Sequence, residues 1–126
     1  MNGTSPRLSL HFTEKEMECS CCGRVYVEPM LMDILEKARV AYGKSIVIES
    51  GFRCEKHNKE VKGVPGSSHT LGQAADIRCY LAADRYALLK IFLTLGIHRI
   101  GIGRSFLHID TSETLPANVV WTYGDF

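Results

Sequence analysis

Apolar residues recur along this chain in two rhythms, and the change from one to the other predicts its layout. Over residues 28–41, Leu31, Ile34, Leu35, Ala38 and Ala41 fall at three- and four-residue spacing. That is one face of an amphipathic helix, started by Pro29 and stopped by Gly43. A second helix is predicted over residues 82–95, with Tyr86, Leu89 and Leu93 on its inner face and Gly96 as its C-cap. Elsewhere the period shortens to two. Residues 45–50 read as a strand punctuated by Gly51, and residues 74–80 as another, with Asp76 on one face and Ala75 and Ile77 on the other. Residues 99–103 and 106–111 are two short runs separated by Arg104 and Ser105, the pattern of a tight antiparallel hairpin. Trp121 and Tyr123 are expected to close the core. Thr13 with acidic residues behind it predicts one helical turn near the start of the chain. Residues 57–68, rich in Asn, Lys, Gly, Pro and Ser, read as a long connection of the kind that serves a site. The coarse expectation is an α+β fold, two main helices packed on a small antiparallel sheet.

Composition narrows this picture. A chain of 126 residues fits a single domain over 1–126, with residues 1–7 expected to be flexible. Hydrophobic residues at 45% and charged residues at 23% are ordinary for a folded protein, which argues against disorder. With 15 basic and 14 acidic residues the net charge is +1, so no strong field draws the chain to nucleic acid. No apolar run approaches the roughly 20 residues of a membrane span. Residues 1–10 lack a signal peptide's apolar centre. The expectation is a monomer made in the cytoplasm, without stable membrane insertion, that reaches any external target by another route.

The candidate chemistry lies in two short stretches. His69 and Asp76 are seven residues apart, with Gly72 between them to let the chain reverse and Ala74 leaving room for close approach. On the last predicted strand, Phe106, His108 and Asp110 share one face. Two titratable groups at i and i+2 of an otherwise apolar strand need partners or a solvent-filled cleft. Two imidazoles and one carboxylate form a standard three-donor set for catalytic zinc that keeps a fourth position for water. His69, Asp76 and His108 are therefore the expected ligands of one Zn2+ ion. His98, just before the hairpin, is a secondary candidate for lining the cleft, whereas His11 and His57 read as structural. Cys19, Cys21, Cys22, Cys54 and Cys79 are an odd set without the spacing of a secreted disulfide framework. Reduced thiols are the default. Cys19 and Cys22 do form a C-x-x-C, half of a structural zinc pattern whose second C-x-x-C is absent.

These residues resemble the zinc D-Ala-D-Ala carboxypeptidase group of murein peptidases, which shares its fold with the Hedgehog signalling domain. The pattern S-x-H-x-x-G-x-A-x-D is met by Ser67, His69, Gly72, Ala74 and Asp76, and S-G-[FY]-R by Ser50, Gly51, Phe52 and Arg53, with Asn58 following. The G-I-G then F-x-H-x-D ending at Asp110 is similar to a branch found in many phage-encoded and bacterial cell-wall members. The resemblance implies a zinc peptidase acting on the stem peptide of peptidoglycan at the bacterial cell wall, as carboxypeptidase or endopeptidase. It implies zinc on His69, Asp76 and His108, and Arg53 meeting a substrate carboxylate or carbonyl, with Ser67 available to the substrate backbone. Several relatives carry a glutamate base three residues before the last zinc histidine. Ser105 stands there in this chain, so Asp110 is the expected base, with orientation of His108 as its other role. A non-catalytic, zinc-containing wall-binding or phage structural module is the alternative that this departure supports.

Overall fold

The computed structural model describes residues 6–124. Among them the chain runs through α1 (Glu14–Met17), α2 (Pro29–Tyr42), β1 (Ile48–Ser50), α3 (Glu55–Glu60), a 3-10 turn (Ser68–Leu71), β2 (Ala74–Arg78), α4 (Ala82–Thr94), β3 (Arg99–Ile102), β4 (Phe106–Asp110) and β5 (Val119–Thr122). Of the segment 1–7 read as flexible, residues 1–5 lie outside the described residues, and Arg7 forms an isolated antiparallel bridge with Thr13.

The strands form one sheet in the order β1-β2-β4-β3-β5. Three of the pairings are antiparallel, and β3 and β4 make the expected hairpin. The sheet departs from the expected antiparallel pattern at one edge, where β5 lies parallel to β3 with Gly101 opposite Trp121. The connection from Thr111 to Asn118 allows this, because it carries the chain back along the sheet before pairing resumes.

Alternation along the strands gives the sheet two different faces. One is apolar: Ala75, Ile77, Ile100, Leu107 and Ile109 pack on Leu31, Leu35 and Ala38 of α2 and on Leu88 and Phe92 of α4. Removing apolar surface of this kind from water stabilises the fold by roughly 1.5–3 kcal/mol for each large side chain. The opposite face carries Asp76, His108, Asp110 and Arg99, and faces a cleft rather than a helix layer.

Local signals account for most of the boundaries. Thr13 and Glu16 form a reciprocal capping box that starts α1. Pro29 opens α2, and Gly43 closes it in the left-handed conformation. The inward face of α4 differs from the expected one, since Leu88 and Phe92 are buried whereas Tyr86 is 68% and Leu93 51% exposed. This helix carries Leu88, Leu89, Ile91, Phe92 and Leu93 around much of its circumference. Contact with α2 and the sheet, not spacing, selects the stripe that goes inside. The connection predicted over residues 57–68 contains most of α3, a polar turn with no apolar period, capped where the His57 N–H donates to the Cys54 sulfur.

Candidate metal centre

Three chain segments deliver the three expected donors to one point. His69 sits on the 3-10 turn, whose start is fixed by the Ser67 hydroxyl accepting the His69 N–H at 3.2 Å. Gly72 ends that turn at φ 71°. A Cβ there would lie 2.6 Å from the Tyr26 carbonyl oxygen, so the position takes only glycine without a shift. The chain then enters β2, where Asp76 is the direct register partner of His108 on β4. Cross-strand pairing thus sets the second and third donors side by side before any metal is considered.

His69 Nε2 lies 3.2 Å from Asp76 Oδ1 and 3.2 Å from His108 Nδ1, and His108 Nδ1 lies 2.9 Å from Asp76 Oδ1. Donors held about 2.0–2.1 Å from one tetrahedral zinc ion would be separated by roughly 3.3 Å. Their protonation follows from what stands behind them. His69 Nδ1 is 2.7 Å from the Gly51 carbonyl oxygen, which can only accept, so the ring proton is on Nδ1 and Nε2 presents a lone pair. His108 Nε2 is 3.1 Å from the Asp110 carboxylate, which places its proton on Nε2 and leaves Nδ1 bare. Two bare imidazole nitrogens and a carboxylate oxygen therefore converge with no proton among them. This arrangement repels itself without a cation and is completed by one, so the residues fit zinc.

Without a metal, the electrostatics of the site favour a positive charge among these donors. Burial works to raise the pKa of Asp76, but its close contacts with the His108 and His69 rings, which can take up a proton when no metal is bound, outweigh it and hold the carboxyl far below its ordinary value. Burial likewise opposes ionisation of Asp110, and contacts with His108 and the Ser112 N–H reverse the effect. For His108, burial disfavours the charged ring, yet the Asp110 and Asp76 carboxylates beside it raise its pKa overall. In the metal-free state a proton is the cation that these carboxylates attract.

The centre opens into a cavity of about 430 Å³ lined in part by Arg53, Lys62, Ser67, Phe106 and Tyr123. An adjoining cavity of about 320 Å³ continues past His108 to Arg99, Leu115 and Trp121. Arg53 is anchored by Ser50 Oγ and Asn58 Oδ1, each at 3.1 Å, and its Nη2 lies 3.4 Å from Asp76 Oδ2. The guanidinium is thus fixed at the cavity wall with donor capacity left over. Trp121 and Tyr123, expected in the core, instead form the aromatic wall beside His108, with ring centres 5.4 and 6.4 Å from its own. Gly101 makes room for them, since a Cβ there would lie 2.6 Å from the Tyr123 ring and 2.7 Å from Trp121 Nε1.

Asp110 and His98 stand outside the group of three converging donors. Asp110 was expected to act as base, but it is 2% exposed and stands behind His108, on the ring nitrogen turned away from the other donors. Its Oδ1 accepts the Ser112 N–H at 2.8 Å, and its Oδ2 is shared between His108 and the Arg99 guanidinium at 3.4 Å. This placement matches the other role open to it from the sequence, orientation of His108. His98 joins neither cavity lining. It precedes β3 in phase with Ile100, on the face opposite Arg99 and Gly101. Sequence reasoning missed Arg99, which is buried, contacts Asp110, donates to the Pro116 carbonyl and lies over the Trp121 ring at 5.2 Å. An arginine opening an apolar strand in phase with the cleft was its available signal.

A family model described as peptidase M15 matches residues 10–110 of the chain. That span covers His69, Asp76, His108 and Asp110 and ends before β5. No curated protein matches the chain.

Proposed function

The chain belongs to the peptidase M15 family of zinc-dependent peptidases, and from that premise we propose that it hydrolyses a peptide bond in the stem peptide of bacterial peptidoglycan. The observation that carries this reading is the convergence of two lone-pair nitrogens and one carboxylate oxygen at the floor of an open cavity. Zinc held by His69, Asp76 and His108 supplies Lewis-acid activation of water and of the scissile carbonyl.

The remaining work falls to the chain's own side chains. Arg53 faces the cavity with its guanidinium held flat by Ser50 and Asn58, suited to a two-pronged grip on a substrate carboxylate. Ser67 lines both cavities and offers its hydroxyl to the substrate backbone. Tyr123 also lines both, and burial raises its pKa, so its phenol stays a donor at neutral pH for the carbonyl oxygen as charge develops. Asp110 and Arg99 keep His108 in the metal-binding tautomer. The protein acts as a monomer at the cell wall, and the F-x-H-x-D ending supports placing it with phage-type wall-degrading members.

Muropeptide digestion followed by mass spectrometry tests this reading. Loss of a terminal alanine identifies a carboxypeptidase, and separation of cross-linked or internal peptides identifies an endopeptidase. Muropeptides left intact by the zinc-loaded protein would overturn both. One observation favours the second reading, a zinc-containing module without turnover: no Asp or Glu other than Asp76 and Asp110 lines either cavity among the described residues. That reading, which suits kinship with the Hedgehog fold, expects intact muropeptides that nonetheless co-sediment with the protein.

A further inference from the structure

Four of the five free cysteines meet in a cluster separate from His69, Asp76 and His108, with His57 and Glu60 grouped beside Cys21. Cys19, Cys21 and Cys22 belong to the loop after α1, and Cys54 is the residue that caps α3. The sulfur of Cys19 lies 3.6 Å from that of Cys21 and 3.6 Å from that of Cys54, and Cys21 and Cys54 are 3.4 Å apart. All four sulfurs lie within 4.8 Å of one another. Sulfurs about 2.3 Å from a shared tetrahedral zinc ion are separated by roughly 3.8 Å. A disulfide would bring one pair to about 2.05 Å and turn the other two aside.

The surrounding donors point the same way. The Cys54 N–H donates to the Cys19 sulfur and the His57 N–H to the Cys54 sulfur, each at 3.4 Å, and Arg24 Nε reaches the Cys22 sulfur at 3.5 Å. Three of the four sulfurs thus receive an N–H, the support that thiolates need and neutral thiols do not. The loop itself is closed by the Cys19 N–H on the Arg24 carbonyl at 2.7 Å and the Gly23 N–H on the Cys19 carbonyl at 2.8 Å. Cys19 and Cys54 are buried while Cys21 and Cys22 are exposed, which gives an ion a way in from solvent.

We infer that Cys19, Cys21, Cys22 and Cys54 form a closed four-thiolate site for a structural zinc ion, distinct from the His69, Asp76 and His108 centre. The soft donor set selects zinc over magnesium or calcium, and four protein ligands leave no position for water. Its consequence for the cleft is direct. Cys54 adjoins Arg53, and the Phe52 N–H donates to the Met17 carbonyl at 2.8 Å. The ion ties the loop after α1 to the backbone that presents the guanidinium. The missing half of the C-x-x-C pattern is supplied by Cys21, inside the motif, and by Cys54, brought up by the fold.

Metal content of protein grown with zinc and purified under reducing conditions tests the assignment. Two zinc ions per chain are expected in the wild type and one in the His69→Ala, His108→Ala double variant. Cobalt substituted into that double variant should show intense thiolate-to-cobalt charge transfer. The Cys21→Ser, Cys22→Ser variant, altered at the exposed positions, should lose one ion and retain the histidine-bound one. No ion in the histidine double variant, or cobalt bound there without the thiolate band, overturns the site. So does a mass deficit of two hydrogens per chain, which marks a disulfide. None of these readouts depends on peptidase activity, so failure of the hydrolase reading and failure of this one are separately visible.

Discussion

Two groups that can only accept, the Gly51 carbonyl and the Asp110 carboxylate, decide which nitrogen of each histidine faces the centre. Asp110→Asn keeps the shape but weakens the demand for a proton on His108 Nε2, so zinc affinity should fall by roughly 10–100-fold in a chelator competition. Unchanged affinity together with lost turnover would instead return Asp110 to the role of base. The raised pKa of His108 carries its own pH dependence. A protonated His108 between two carboxylates stabilises the metal-free protein below the ordinary histidine value, and this contribution is lost as pH rises through the raised value. Zinc requires the neutral ring, so the proton is its competitor, and affinity should decline on acidification from a pH above the ordinary ~6.5. Asp76 and Asp110, both lowered, stay ionised through this window. A zinc titration that is flat from about pH 5 to 8 would contradict this account.

The elements differ in how much a short stretch of sequence discloses about them. Capping at Thr13, the stop at Gly43 and the alternation of β2 and β4 are local, and each was legible from a few neighbouring residues. The inward stripe of α4 was not, because apolar residues surround it and only its partners break the tie. Phe92→Ala should cost about 3–5 kcal/mol in urea unfolding, while Leu93→Ala should stay within about 0.5 kcal/mol. The reverse order would restore the face expected from spacing. The position of β5 was equally hidden. Its parallel return along β3 carries Trp121 and Tyr123 out of the expected core and onto the cleft, over the space left by Gly101. Gly101→Ala should displace that aromatic wall, reducing turnover on muropeptides while metal content stays the same. Full turnover in this variant would show that the wall takes no part in substrate binding.

At the scale of the molecule, one sheet face builds the core and the other builds the site. The three zinc donors were readable because each belongs to a compact motif. The placement of Asp110 behind His108 and the buried Arg99 required the third dimension, since alternation puts His108 and Asp110 on one face without saying which stands in front. Chelation should lower the melting temperature and zinc should restore it, since an ion at 1,000 times its dissociation constant adds about 4 kcal/mol to stability. An unaltered melting temperature after verified metal removal would mean that neither donor cluster contributes to folding.

Asp76 and His108 are rungs of the same ladder, facing each other across β2 and β4. Were those strands to misthread by a single step, one of the pair would swing to the hydrophobic side and coordination would be lost. The ion therefore proofreads the pairing, rewarding only the correctly threaded chain, and the fraction of molecules that retain it reports how faithfully a preparation has folded.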